Sequence, residues 1–104
     1  MTVKRRPHHD LDGIKRKFAS VETLEITTTA LRSASALGYE MEDIVAVVQQ
    51  LERSDFVKSE TAHHPRNSHI WHDSYRAPFD GCELYLKFAG ETLIDVTLVS
   101  FKEG

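Results

Sequence analysis

The sequence predicts an α+β fold, with N-terminal helices packed on one face of a C-terminal antiparallel sheet. Three observations predict it. Apolar residues recur at helical spacing as far as about residue 51 and at alternating spacing afterwards. Short turns, not crossover-length connections, separate the strand-like segments. The 104 residues are 40% hydrophobic and 28% charged, which suits one globular domain spanning 1–104.

The elements follow in order. Asp10 or Asp12 can cap a first helix running to about Ser20, with Leu11, Ile14 and Phe18 as its apolar stripe. A second helix starts after Thr27 or Thr28. It carries Ala30, Leu31, Ala34 and Leu37, and Gly38 sits where a helix-terminating glycine belongs. A third runs from about Met41 to Leu51 on Ile44, Val45, Val47 and Val48, with Glu42 and Asp43 at its positive end. The period then changes. SDFVKSETA is a first strand and AHHPRNSH a polar connector containing Pro65. HIWHDSYRAPF is a second strand, Asp80-Gly81 a turn and CELYLKF a third strand. Ala89-Gly90-Glu91 makes another turn, and TLIDVTLVSFK is a fourth strand. Arg5, Arg6, His8 and His9 read as a solvated N-terminal arm.

Charge and composition exclude several classes. Net charge is −3, so a generally basic nucleic-acid-binding surface is excluded. Residues 1–17 carry +4, residues 18–60 carry −5, and residues 61–104 carry −2 together with four histidines. Any site for a polyanion must therefore be local, built from a few placed cations. One cysteine, Cys82, excludes an internal disulfide framework and fits a reducing compartment. It reads as a small, semi-buried apolar residue and not as a nucleophile. No apolar run approaches the length of a membrane span, and MTVKRRPHHD lacks the apolar stretch of a signal peptide, so a cytoplasmic location is expected. No phosphate loop, dinucleotide fingerprint or nucleophile elbow is present, so no cofactor is implied. His64, His69 and His72, with His63 or Asp73, invite a metal site. None of the usual ligand spacings is present, and no metal is expected.

Strand alternation sorts the C-terminal half. Leu84, Leu86 and Phe88 share the face that the helices cover, leaving Tyr85 and Lys87 on the open face. Ile70, His72, Ser74 and Arg76 share one face of the preceding strand, with Trp71, Asp73 and Tyr75 on the other. The open face can thus collect Lys58, His72, Arg76, Tyr85 and Lys102. Cations, an imidazole and a phenol suit phosphodiester cleavage. They offer a base for a ribose 2′-OH, an acid for the leaving 5′-oxygen and positive charge for the phosphorane. The same residues also describe a solvated sheet face on which Lys and Tyr serve propensity and solubility.

Longer stretches resemble a known family. RRPHHDLDGIKRKF, TTTALRSASALG, SDFVKSET, IWHDSYR, LYLKF and LVSFKEG occur in this order and cover about residues 4–104. Together they resemble the motility quorum-sensing regulator (MqsR) toxins, RelE-like bacterial mRNA interferases. The resemblance implies a compact α+β ribonuclease fold and metal-independent cleavage of mRNA. It also implies pairing with an MqsA-type antitoxin, a zinc- and DNA-binding protein, and no membrane partner. It assigns catalytic roles to Lys58 in SDF-x-K, His72 after IW, Tyr85 in YLK and Lys102 in VSFKE. Arg76 is the accompanying substrate-binding candidate. This chain departs from the family pattern at His72, where a glutamine is common. Its segment between Tyr85 and Lys102 is about two residues longer.

Overall fold

The computed structural model describes residues 3–61 and 69–104. In chain order these form a short strand β1 (Val3–Lys4) and helices α1 (Leu11–Lys17), α2 (Thr28–Ala36) and α3 (Met41–Gln50). Strands β2 (Phe56–Thr61), β3 (Trp71–Phe79), β4 (Cys82–Gly90) and β5 (Thr97–Glu103) follow. The sheet order is β1-β2-β3-β4-β5 and every neighbouring pair is antiparallel. This is the expected α+β architecture, with a fifth strand added at the N-terminal edge.

Local chemistry explains the helix limits. The Asp10 carboxylate accepts from the Gly13 N–H, and the Thr27 hydroxyl accepts from the Ala30 N–H, so α1 and α2 begin at side-chain caps. At α3 the Glu40 N–H donates to the Asp43 carboxylate at 2.8 Å. The β3–β4 hairpin turns on Asp80 and Gly81, whose φ values of 52° and 78° match the twist that a two-residue turn needs.

The core lies between the helices and one face of the sheet. Phe18, at the end of α1, meets Phe88 edge-to-face at 5.5 Å, and Tyr75 meets Phe88 at 5.9 Å. Ile14, Ile44, Val48, Leu51, Leu84, Leu86, Leu98 and Phe101 fill the space around them and are almost fully buried. Each contributes roughly 1.5–3 kcal/mol by leaving water. Alternation along β4 is complete: Leu84, Leu86 and Phe88 are buried, while Tyr85 and Lys87 are half-exposed on the other face.

The structure corrects three expectations. The N-terminal arm is anchored and only partly solvated, with Arg5 and Arg6 exposed. Val3 and Lys4 pair with Glu60 and Ser59, and His9 is only 2% exposed. The cause is Asp73, buried on β3. Its carboxylate accepts from the His8 N–H (3.2 Å), the His9 N–H (2.8 Å) and the Ser59 hydroxyl, with His9 Nδ1 at 3.2 Å. His9 Nε2 donates to the Gly90 carbonyl at 3.1 Å. The His8 ring stacks on Trp71 at 5.2 Å, and the Lys4 ammonium lies 4.1 Å from the centre of the same indole. A buried carboxylate needs donors, and the arm supplies two of them from its backbone.

The second correction concerns the last hairpin. Ala89 and Gly90 belong to β4, and the turn begins at Glu91. The third concerns the last strand, which starts at Thr97 and not at Thr92. Residues 92–95 are held as a loop by Asp95, whose carboxylate accepts from the Glu91 and Thr92 N–H groups at 3.2 and 2.8 Å. Lys17 clamps the loop from the helix side, donating to the carbonyls of Ile94 and Val96, each at 2.8 Å. Gly90 is required here, because a Cβ would fall 2.7 Å from Val96 Cα.

Candidate functional site

The open face of the sheet is organised in rows of cross-strand neighbours. Register places Arg76, Tyr85 and Lys102 in one row and Lys58, Ser74, Lys87 and Ser100 in the next. Glu60, His72 and Ala89 form a third row. Adjacent rows are two residues apart along β3, about 7 Å by the rise of a strand. Two β-bulges flank the middle row. Val57 is the extra residue between Phe56 and Lys58, and Val99 the extra residue between Leu98 and Ser100. Each bulge lets its strand keep Phe56 or Leu98 on the core side while presenting Lys58 or Ser100 to the open side.

A cavity of about 210 Å³ opens on this face, lined by Val57, Lys58, Ser74, Tyr85, Lys87 and Lys102 among others. It thus gathers three of the expected site residues: Lys58, Tyr85 and Lys102. His72 occupies the same face but lies one row further along and outside the lining. Arg76 also lies outside it. Arg76 hydrogen-bonds Tyr85, and this bond raises its already high pKa further; its Nε stands 3.6 Å from Glu83. Lys58 is half-exposed and pairs with Glu60 at 3.4 Å. Among the described residues, neither Lys87 nor Lys102 meets a carboxylate at ion-pair distance. The Tyr85 ring is closely covered by the backbone of Gly104, whose N–H donates to the Glu83 carbonyl at 3.0 Å.

Sequence reasoning placed Lys87 on the open face without giving it a role, and it missed the roles of Ser74 and Ser100 in the lining. The periodicity that put Tyr85 on that face puts Lys87 beside it, so the signal was present. Ser100 was hidden by the bulge at Val99, which breaks simple alternation in β5. The N-terminal cations contribute less to any open face than their number suggests. Lys15 donates to the Leu51 carbonyl, and Lys17 holds the 91–96 loop.

His63 and His64 lie outside the described residues. Among the described residues no group of three or more His, Cys, Asp or Glu is arranged to hold a metal. Cys82 is half-buried, and its hydrogen bond to Glu103, together with burial, pushes the thiol pKa up, away from nucleophile chemistry.

A small antiparallel sheet with helices on one face and a lysine- and tyrosine-lined cavity on the other defines a class: compact α+β proteins with a cationic, phenol-bearing sheet face. The chain belongs to the family described as motility quorum-sensing regulator, toxin of MqsA, whose model matches residues 6–103. It is 36% identical over 100 residues to the mRNA interferase toxin MqsR of Escherichia coli (strain K12), an alignment covering 96% of this chain and 97% of that protein. No helix among the described residues is long and apolar enough to cross a membrane.

Proposed function

We propose that this protein is the toxin of a toxin–antitoxin pair, and that it cleaves mRNA in the cytoplasm at the cavity on the open sheet face, without a metal ion or cofactor. The observation that carries the proposal is the convergence of Lys58, Tyr85 and Lys102 on one cavity in a member of a toxin family with an mRNA interferase relative. The ribose 2′-oxygen attacks the adjacent phosphorus. A 2′,3′-cyclic phosphate forms and the 5′-oxygen leaves with a proton. Lys58 and Lys102 neutralise the charge that develops on the phosphorane. Tyr85 orients the substrate or shares proton transfer, with Arg76 holding its hydroxyl and adding a cation at the rim. Purified protein incubated with RNA in EDTA should release 5′-hydroxyl fragments. Strict dependence on an added divalent ion would overturn the metal-independent mechanism.

His72 is the general base of this proposal. A glutamine at that position can orient substrate but cannot take a proton, whereas an imidazole titrates near neutrality at about 6.5 when unperturbed. His72→Gln is expected to slow cleavage by roughly 10²–10⁴-fold and to remove the acid-side inflection from the pH–rate profile. A variant with wild-type rate and profile would leave His72 as a hydrogen-bonding residue only.

The restraining partner is an antitoxin of the MqsA type. The N-terminal arm is pinned to Asp73 at His8 and His9 while Arg5 and Arg6 stay exposed, so a sheet edge and this anchored basic arm are the candidate recognition surfaces. Co-expression with such an antitoxin should restore growth and yield a complex that co-migrates on a sizing column. Separate migration of the two proteins would argue against the pairing.

A further inference from the structure

The middle row of the open face contains more chemistry than the site residues so far discussed. Ser74 lies between Lys58 on β2 and Lys87 on β4, its direct cross-strand neighbours. Its hydroxyl oxygen is buried and, among the described residues, has no hydrogen-bond partner. A buried polar atom without a partner is costly and rare, and in a cavity it points to a ligand that completes it. The three ammonium groups around the same cavity are the second anomaly. Among the described residues only Lys58 has a carboxylate at ion-pair distance, so Lys87 and Lys102 bring positive charge to the cavity lining with no ion-pair partner there. A bound anion supplies the missing counter-charge.

We propose that the scissile phosphodiester sits over the row Lys58–Ser74–Lys87–Ser100, with Lys87 and Ser74 as substrate-contacting residues. This rests on the ribonuclease function proposed above and assigns the register of the RNA within it. Ser74 donates its hydroxyl hydrogen to a non-bridging phosphate oxygen. The flanking lysine side chains, which are flexible, swing toward that phosphate. The rows on either side then have complementary positions. His72 lies about 7 Å to one side along β3, and the Arg76–Tyr85–Lys102 row about 7 Å to the other. Displacement at phosphorus brings the nucleophile and the leaving group to opposite sides. As the 2′-O–P bond forms, its proton passes to the His72 side. As the P–5′-O bond breaks, a proton arrives from the Tyr85 side. No oxidant, reductant or further reactant is needed. The RNA backbone therefore runs along β3 and β4, not across them.

The test uses the full chain with an RNA substrate, and with a copy of that RNA carrying a single 2′-deoxy sugar at the cleaved position, which binds but cannot react. Single-turnover cleavage and the salt dependence of binding are measured for Lys87→Ala, Lys87→Arg and Ser74→Ala. Arg32→Ala, at an exposed position of α2, serves as control, and a thermal melt verifies folding. Lys87→Ala should slow cleavage by roughly 10²–10³-fold. It should also reduce the slope of log affinity against log salt by about 0.7, the value for one phosphate contact to a single strand, and Lys87→Arg should restore the slope. Ser74→Ala should lower the cleavage rate constant by about tenfold and leave the salt slope unchanged. Wild-type behaviour of folded Lys87→Ala and Ser74→Ala, alongside inactive Lys58→Ala and Lys102→Ala, would overturn the row assignment while leaving the ribonuclease function intact. Failure of the wild-type protein to cleave RNA would overturn both.

Discussion

Lys58→Ala and Lys102→Ala are each expected to abolish growth arrest while the protein stays folded. Both side chains are exposed, so removing either creates no cavity and strands no buried partner except Glu60, which loses its 3.4 Å ion pair with Lys58. Glu60 is itself only 8% exposed, so losing its half-exposed lysine costs about 1–3 kcal/mol, still less than the roughly 5–15 kcal/mol that holds a domain together. The catalytic cost falls directly on the rate. A cation aimed at charge that appears only in the transition state is worth roughly 10²–10³ in rate. Expression of each variant from an inducible promoter, with a thermal melt of the purified protein, checks both halves of the expectation. Growth arrest by both variants at wild-type expression would remove the two lysines from the mechanism.

Asp73→Ala should be among the most destabilising single substitutions in the chain, by about 3–5 kcal/mol. The carboxylate is fully buried and receives the His8 and His9 backbone N–H groups and the Ser59 hydroxyl, with the His9 ring beside it. Alanine leaves these groups without an acceptor. For a domain of this length each kcal/mol shifts Tm by about 4–8 °C, so a fall of at least about 12 °C is expected. A drop below about 4 °C would show that the arm is held by other contacts. The pH dependence follows from the same site. Burial works against ionisation of Asp73, but the hydrogen bonds from His9 and Ser59 outweigh it and hold its pKa below the usual carboxylate range. A depressed folded-state pKa contributes stability at pH values above the unfolded pKa of about 3.9. That contribution disappears as pH falls through the folded-state value. Asp73→Asn should therefore be less stable at neutral pH and lose less stability between pH 5 and pH 2 than the wild type, measured by urea denaturation. Parallel acid curves for the two proteins would sink this assignment.

These two expectations concern opposite faces of one strand. Ser74 faces the cavity and Asp73 faces the arm, so β3 carries the substrate row on one side and the anchor of the N-terminus on the other. A variant that loses Asp73 tests stability and one that loses Ser74 tests chemistry, although the two positions are adjacent.

The sequence by itself determined the helices, the change of period after Leu51 and the face assignment of most strand residues. These are local properties: a capping carboxylate at Asp10, a 3.6-residue stripe in α3, a two-residue alternation in β4, a turn at Asp80-Gly81. The run of matching words also pointed to the family before any geometry was known. Tertiary structure alone decided three things. It folded the basic, histidine-rich N-terminus onto the sheet, because the acceptor that demands it, Asp73, lies 64 residues away. It turned Thr92–Asp95 into a loop, because Asp95 and the distant Lys17 offer its backbone better partners than a sheet edge does. It also set His72 one row from Lys58 and two rows from Tyr85 and Lys102, and brought Ser74, Lys87 and Ser100 into the cavity in its place. That last outcome depends on register and on bulges at Val57 and Val99. Pairing between strands is set by which partner buries which face, and alternation within a single strand carries no information about it.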